Sequence, residues 1–372
     1  MSESAGTQCA HVYSRVLFIH TQGGIGDLLL SAPVAEAIAR SWPDAAVTAW
    51  VRPEFRGLLD GNPSFSGCLS IDGGSFTAQC AAIGRHRFDV AILPWTTGRQ
   101  AALVWLAAIP VRVGQAGRLA YSWTFTHPVE VPSAHGDTST HWMEIQLEYA
   151  RALGCRTDGV RPRLFLDVRE REEARAVLAR HGIAPSCRPC GLHIGKGLPL
   201  ALDRWPVARF VQAGRQIVGA GLPVVLIGSS TERGLAEHVA RQIGNGAVVL
   251  AGGTARELAA LIAEMSVVIT PDSGPGHIAA ALDVPVVSIF AVKSVPIERW
   301  RPWGAAHRVV TTAPWACPKA CVKEACPRFD CLEAFDAGEV ARAALELADL
   351  HASGIRGPVS QVPHTRRQTG DV

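Results

Sequence analysis

Short apolar runs alternate with stretches of helical spacing, and this alternation passes along the chain twice. Arg15–His20 (RVLFIH) is an apolar run bounded by a Gly cluster, and Leu28–Arg40 then shows helical spacing up to Trp42-Pro43-Asp44, so the opening reads strand, loop, helix. A strand at Ala46–Val51 follows, an amphipathic stretch covers Phe76–Arg85, and another strand is predicted at Phe88–Leu93. Helical periodicity returns over Thr138–Leu153, stopping at Gly154, and over Val168–His181, stopping at Gly182.

The segment Ile183–Pro189 (IAPSCRP) holds two prolines and few hydrophobes, which places a domain boundary between residues 185 and 186. Beyond it the pattern restarts. Strands are predicted at Cys190–Ile194, Val224–Gly228, Ala247–Leu250, Val267–Thr270 and Val286–Phe290, with helices over Val207–Ala220, Thr231–Ile243, Ala255–Glu264 and Gly276–Leu282 between them. Strands alternating with helices imply parallel sheets covered on both faces, so the fold class is α/β with two doubly wound domains, 13–185 and 186–350. A last helix spans Ala337–Leu350, and residues 351–372 read as a flexible tail.

Composition agrees with two folded domains. The chain has 372 residues, against roughly 150 per domain, and is 48% hydrophobic and 19% charged. A formal net charge of +3 is too small for a nucleic-acid binder that relies on a dense cationic field. The first twelve residues lack the pattern of a secretory signal, and no apolar run approaches the roughly 20 residues that span a bilayer. The expected location is therefore the cytoplasm, where a membrane-dwelling substrate is met from the cytoplasmic side.

Four strand-to-helix loops carry candidate chemistry. Gln22-Gly23-Gly24-Ile25-Gly26-Asp27 follows the first strand, where glycines let a ligand approach the backbone and helix N–H groups bind polar atoms. It is not the dinucleotide fingerprint, because Leu29 stands where the third glycine belongs. Asp27 either caps the helix or serves as a general base at the carboxyl end of a strand. Thr270-Pro271-Asp272-Ser273-Gly274-Pro275-Gly276-His277 repeats the arrangement in the second half, and its glycines, hydroxyl and helix N-terminus suit a diphosphate. There His277 either donates to a phosphate oxygen or packs locally, and Asp272 either binds sugar hydroxyls or holds the turn. Ile194–Pro206 brings Lys196 and Arg204 to the same sheet edge, as cations for a leaving diphosphate or as solvated charges. Glu232, after Gly228-Ser229-Ser230-Thr231, either accepts from ribose hydroxyls or belongs to a helix cap.

Taken in order, these loops resemble glycosyltransferase family 9, the heptosyltransferases of lipopolysaccharide core assembly. The resemblance runs from about Arg15 to Leu350 and is strongest in RVLFIHTQGGIGDLLLSAPVAEAIARSWPDA and VVITPDSGPGHIAAALDVPVVSIFA, with IPVRVG at Ile109–Gly114 and HWMEIQLEYARALG at His141–Gly154 as further segments. It implies a GT-B architecture of two Rossmann-like domains facing a central cleft, the first for the acceptor and the second for the nucleotide-sugar donor. It also implies that Asp27 deprotonates an acceptor hydroxyl that attacks ADP-heptose with inversion, without a divalent metal or other cofactor. Ser273, Gly274, Gly276 and His277 would then line the donor diphosphate, with Asp272 near the sugar and Glu232 near the ribose. Gly24 and Gly26 would face the acceptor, and Arg112 would meet an anionic group on it or serve structure alone. The implied acceptor is a lipid-linked core oligosaccharide, reached by peripheral contact with the inner membrane. One departure stands out: family members often carry Lys-Arg-Trp-Pro where this chain has Asp203-Arg204-Trp205-Pro206, so an acid replaces the usual phosphate-binding lysine.

Of ten cysteines, Cys317, Cys321, Cys326 and Cys331 crowd into fifteen positions. Their spacing lacks the paired pattern of zinc ribbons and no histidine joins them, so they read as thiols or as a structural metal site. A branch of the resembled family that glycosylates autotransporter proteins uses a cysteine-bound iron, which makes protein heptosylation an alternative. The two-domain pattern also suits a nucleotide-sugar epimerase or a non-catalytic nucleotide-sugar-binding protein.

Overall fold

The computed structural model describes residues 13–71, 73–195, 206–290, 296–311, 331 and 334–354. By its internal contacts the chain divides into two compact units, residues 1–165 and 166–372.

The first unit is a six-stranded, wholly parallel sheet in the order β3-β2-β1-β4-β5-β6. Its strands are β1 (Arg15–His20), β2 (Ala46–Val51), β3 (Gly67–Cys68), β4 (Val90–Leu93), β5 (Val111–Gln115) and β6 (His127–Val129). The central strands are apolar throughout because helices cover both faces: every residue from Val16 to Ile19 and from Val90 to Leu93 is buried. Those helices are α1 (Ile25–Ser31), α2 (Pro33–Ser41), α3 (Phe76–Arg85), α4 (Gly98–Leu106) and α5 (Trp142–Arg151). The single helix expected over Leu28–Arg40 is two, because Pro33 opens α2 without a backbone donor and the axis restarts there. The helix expected from Thr138 begins only at Trp142. Asp137 ties the N–H groups of Ser139 and Thr140 into a turn, and His141 caps α5 by accepting from Met143 N.

The second unit repeats the plan with α6 (Val168–Arg180), β7 (Cys190–His193), α7 (Val207–Gly219), β8 (Val224–Gly228), α8 (Arg233–Ile243), β9 (Ala247–Ala251), α9 (Ala255–Ala263), β10 (Val267–Pro271), α10 (Gly274–Ala281), β11 (Val286–Phe290), α11 (Ile297–Trp300), β12 (His307–Thr311) and α12 (Ala337–Ala352). Its sheet, β12-β11-β10-β7-β8-β9, is also wholly parallel. Counted from its own first strand, this order is the same as in the first unit. Both are the doubly wound order, with the topological switch point between β1 and β4 in one and between β7 and β10 in the other.

The boundary expected at residues 185 and 186 lies one helix earlier, because α6 is bonded into the second unit. Buried Glu264, just past α9, accepts from Arg171 Nε at 2.9 Å and Arg175 Nε at 2.7 Å, and Arg256 grips Glu170 with two nitrogens at 2.5 and 2.7 Å. At the other end α12 runs two residues past the expected Leu350, packing on α7 beside the Phe210–Phe335 ring pair. Residues 355–372 of the expected tail lie outside the described residues. Among the described residues no helix is long and apolar enough to cross a membrane.

Candidate active site

In each unit the central strand at the switch point ends in a buried histidine, His20 on β1 and His193 on β7, and a glycine-bearing loop follows. Ligands of doubly wound sheets bind at such loops, beyond the carboxyl ends of the strands.

After β1 the chain turns through Gly23, whose φ of +73° favours glycine, and enters α1. Asp27, in the first turn of α1, folds its carboxylate back so that Oδ2 accepts the Gly24 N–H at 2.7 Å. A Cβ on Gly23 would lie 2.6 Å from Oδ2, so the bare glycine is what admits the carboxylate. Burial raises the Asp27 carboxyl above the ordinary aspartate value, and the backbone bonds offset this only in part. Arg52, beyond β2, donates to Gly23 O at 3.0 Å, and Ser31 Oγ lies 2.7 Å from Asp27 O and 3.1 Å from Gln146 Oε1 on α5. The loop is thus held from two sides. Beneath it His20 Nε2 is buried with no hydrogen-bond partner, and burial pushes the imidazole down to about 4. It is therefore neutral at physiological pH.

In the second unit the loops after β7, β8 and β10 meet at one histidine. His193 Nδ1 stands 3.1 Å from Thr270 Oγ1 and 3.0 Å from Ser273 Oγ, while Nε2 stands 3.4 Å from Glu232 Oε1. Glu232 Oε2 also accepts the Ser229 N–H and hydroxyl, both at 2.7 Å. Burial alone would raise this carboxyl, yet His193 and Ser229 together hold it at about 2. Gly195 leaves the space that Glu232 occupies, since a Cβ would fall 1.6 Å from Glu232 Oε1. Ser273 caps α10 by position, but its hydroxyl is turned to His193 and Thr270 and makes no bond to the helix. The first turn of α10 consequently presents Gly274 without a side-chain cap, the arrangement that accepts an anionic oxygen. By contrast Thr97, Asp167 and Thr254 do cap α4, α6 and α9. Gly276 admits the close approach of α10 to β10, where a Cβ would lie 2.9 Å from Thr270 Cγ2. His277 is buried, with Nε2 4.0 Å from Asp272 Oδ1.

The structure therefore gathers Glu232, Asp272, Ser273, Gly274, Gly276 and His277 on two loops that His193 bridges, and places Gly24 and Gly26 with Asp27. It does not bring Arg112 to the Asp27 loop. Register ties Arg112 through Ala91 to Leu17, three residues short of the end of β1, and its guanidinium donates to the carbonyls of Thr124, Ile109 and Pro110. Lys196 and Arg204 lie outside the described residues, as do Cys317, Cys321 and Cys326. Cys331 packs half-buried against the core of the second unit, and among the described residues no three His, Cys, Asp or Glu side chains are grouped as metal ligands. Sequence reasoning missed His193 and His20. The available signal was an apolar run that ends in histidine directly before a glycine loop, seen in both RVLFIH and CGLH.

Comparison with known proteins follows the same lines. A family model described as glycosyltransferase family 9 (heptosyltransferase) matches residues 77–329. Lipopolysaccharide heptosyltransferase 2 of Salmonella typhimurium is 25% identical over 286 residues, covering 73% of this chain and 81% of its own length. Two solved structures share the fold at 20% identity. The glycosyl transferase family 9 protein from Veillonella parvula has a TM-score of 0.78, covering 91% of this chain and 98% of its own, and E. coli ADP-heptose LPS heptosyltransferase II has a TM-score of 0.74, covering 91% and 99%. The two doubly wound units are thus of the GT-B class.

Proposed function

The chain belongs to glycosyltransferase family 9, the heptosyltransferases, and we propose that it transfers a heptose from ADP-heptose to a lipid-linked inner-core oligosaccharide with inversion. The observation that carries the reading beyond the family is the Asp27 carboxylate. It is half-buried, oriented by Gly24 N–H and raised in pKa by burial, which is how a general base is prepared for a hydroxyl proton. The acceptor hydroxyl gives its proton to Asp27 as its oxygen bonds to the anomeric carbon. The bond from that carbon to the diphosphate oxygen breaks on the opposite side, and ADP departs with the electron pair.

The second unit holds the donor in this reading. The uncapped first turn of α10, with Ser273 and Gly274, faces the diphosphate, and His277 and Asp272 serve its phosphate and sugar ends. Glu232, kept ionised by His193 and Ser229, accepts from the ribose hydroxyls. Lys196 and Arg204 neutralise the leaving charge in this reading, so no divalent metal enters the transfer. The first unit serves the acceptor and the second the donor.

The test is transfer by the purified protein from ADP-heptose to isolated core acceptor, with and without a chelator. The expected result is ADP release, an added heptose by mass spectrometry, an inverted anomeric linkage by NMR and unchanged turnover in chelator. ADP release without an acceptor, or a core oligosaccharide of unchanged length in cells lacking the protein, would overturn the proposal.

A further inference from the structure

Six large apolar side chains are exposed among the described residues, and four of them, Trp105, Leu106, Leu119 and Trp123, fall within nineteen consecutive positions of the first unit, while Trp95 meets Trp142 of α5 edge-on. Trp105 and Leu106 end α4. Trp123 lies in the 3₁₀ turn Ser122–Thr124, and its indole meets that of Trp105 edge-on with centroids 5.5 Å apart. Tyr121 bonds the same turn to Thr96 O, before α4, at 3.2 Å, and Ser122 Oγ donates to Gln115 O at 2.7 Å. Leu119 is therefore held on a fastened turn and is nonetheless 100% exposed. An apolar cluster on rigid supports is a binding surface rather than a loose end.

Charge identifies what it binds. Between positions 73 and 129 the chain carries five arginines and one carboxylate, Asp89. That carboxylate is consumed within the fold by the N–H groups of Ser14 and Arg15 at 2.9 and 2.8 Å. Arg112 is likewise occupied by carbonyls, which leaves Arg85 at the end of α3, Arg87 just past it, Arg99 on α4 and Arg118 on the turn as exposed cations. The next carboxylate, Glu130, lies 3.2 Å from His135. Indoles settle at the headgroup level of a bilayer and arginines meet the phosphates of anionic lipid. A second copy fits less well, because a two-fold contact would set the same arginines against one another.

We propose that the end of α4 and the turn at 117–123 form the surface by which the chain docks on an anionic lipid bilayer, with Trp105, Trp123 and Leu119 in the interface and the arginines on the headgroups. The inference deepens the proposed reaction and rests on its lipid-linked acceptor.

The experiment is co-sedimentation of the full chain with vesicles of phosphatidylcholine alone or mixed with phosphatidylglycerol, read without donor or acceptor. Binding to the mixed vesicles is expected. Leu119→Glu, at a position that supports no packing, and the double variant Leu119→Glu/Trp123→Ser should lower the partition coefficient about tenfold or more, and Arg118→Gln about fivefold, the worth of one cation at such a surface. Wild-type protein that stays in the supernatant with both vesicles overturns the docking. So does a Leu119→Glu variant that binds as well as wild type, or a wild-type dimer that ignores vesicles and that Leu119→Glu dissolves. Transfer assays separate this from the reaction. Variants that keep turnover on a deacylated acceptor but lose it on the lipid-linked one support docking, whereas vesicle binding with transfer to neither acceptor supports docking and overturns the proposed chemistry.

Discussion

Asp27 Oδ2 accepts the Gly24 N–H at 2.7 Å, so the proposed base also closes the first turn of its own helix. Asp27→Asn preserves the shape and that bond but cannot take a proton. Turnover should fall by about 10²–10⁴-fold, the usual worth of a general base, while ADP binding measured by calorimetry stays near wild type. Turnover within a few-fold of wild type would remove Asp27 from the mechanism.

The same carboxylate predicts a stability effect of opposite sign. Its folded pKa is raised above the ordinary 3.8, so its favourable contribution is complete below the unfolded value and is lost as pH rises through the folded one. At pH 7 the ionised group is a burden. Asp27→Asn should melt at or above the wild-type temperature at neutral pH, with the difference shrinking toward pH 3, and an earlier melt at pH 7 would contradict the assignment.

His193 joins Ser273 to Glu232, so His193→Phe should disturb donor binding more than catalysis. ADP affinity is expected to drop about tenfold, equivalent to about 1.4 kcal/mol, with kcat changed less than KM. The Glu232 carboxyl, held at about 2, should rise toward its ordinary value. His193→Gln, which can still donate to Glu232, should recover part of the affinity; a Gln variant as weak as Phe would reduce His193 to a packing residue.

His20 governs the acid side of folding. Because burial depresses its pKa from 6.5 to about 4, it supports the fold above pH 6.5, and that support is lost as pH falls toward about 4. The full loss is about 3 kcal/mol at 1.36 kcal/mol per unit. Urea unfolding across this window should show a steeper decline for wild type than for His20→Leu, and parallel curves would refute the account.

Glu264 anchors α6 to the end of α9 through Arg171 and Arg175. Glu264→Ala should lower stability by about 2–3 kcal/mol, less than the roughly 3–5 of a fully buried pair because both arginines reach solvent. Arg175→Ala, at the more exposed partner, should cost about 1 kcal/mol or less. Equal losses in chemical denaturation would show that charge pairing is not what fixes α6.

How far the sequence could be read follows from burial. β1, β4, β7 and β10 are apolar on both faces and were predictable, as were the glycine loops behind β1 and β10. The edge strands β3 and β6 are two and three residues long and carry Gly, Cys, His and Pro, which leaves no period to detect. Helix α4 escaped for another reason: Trp105 and Leu106 put apolar surface on its outward side and blur the contrast between faces. The positions of Asp27, Glu232, Ser273 and His277 at strand-to-helix loops were legible because each sits beside a loop glycine or helix start. His193 was not, since its role comes from three loops that are distant in sequence, and the carbonyl contacts of Arg112 depend likewise on the tertiary fold.

Both sheets are parallel from edge to edge, which has a consequence for how the chain comes to exist at all. No neighbouring pair of strands can be closed by a tight hairpin, so each pairing waits for an intervening helix to cross over and the average contact is remote in sequence. Such a topology folds slowly and leaves bare apolar strands in the nascent polypeptide. Yield on overexpression should therefore depend on synthesis rate and temperature more than on the final stability, with slow, cool expression favouring recovery over aggregation.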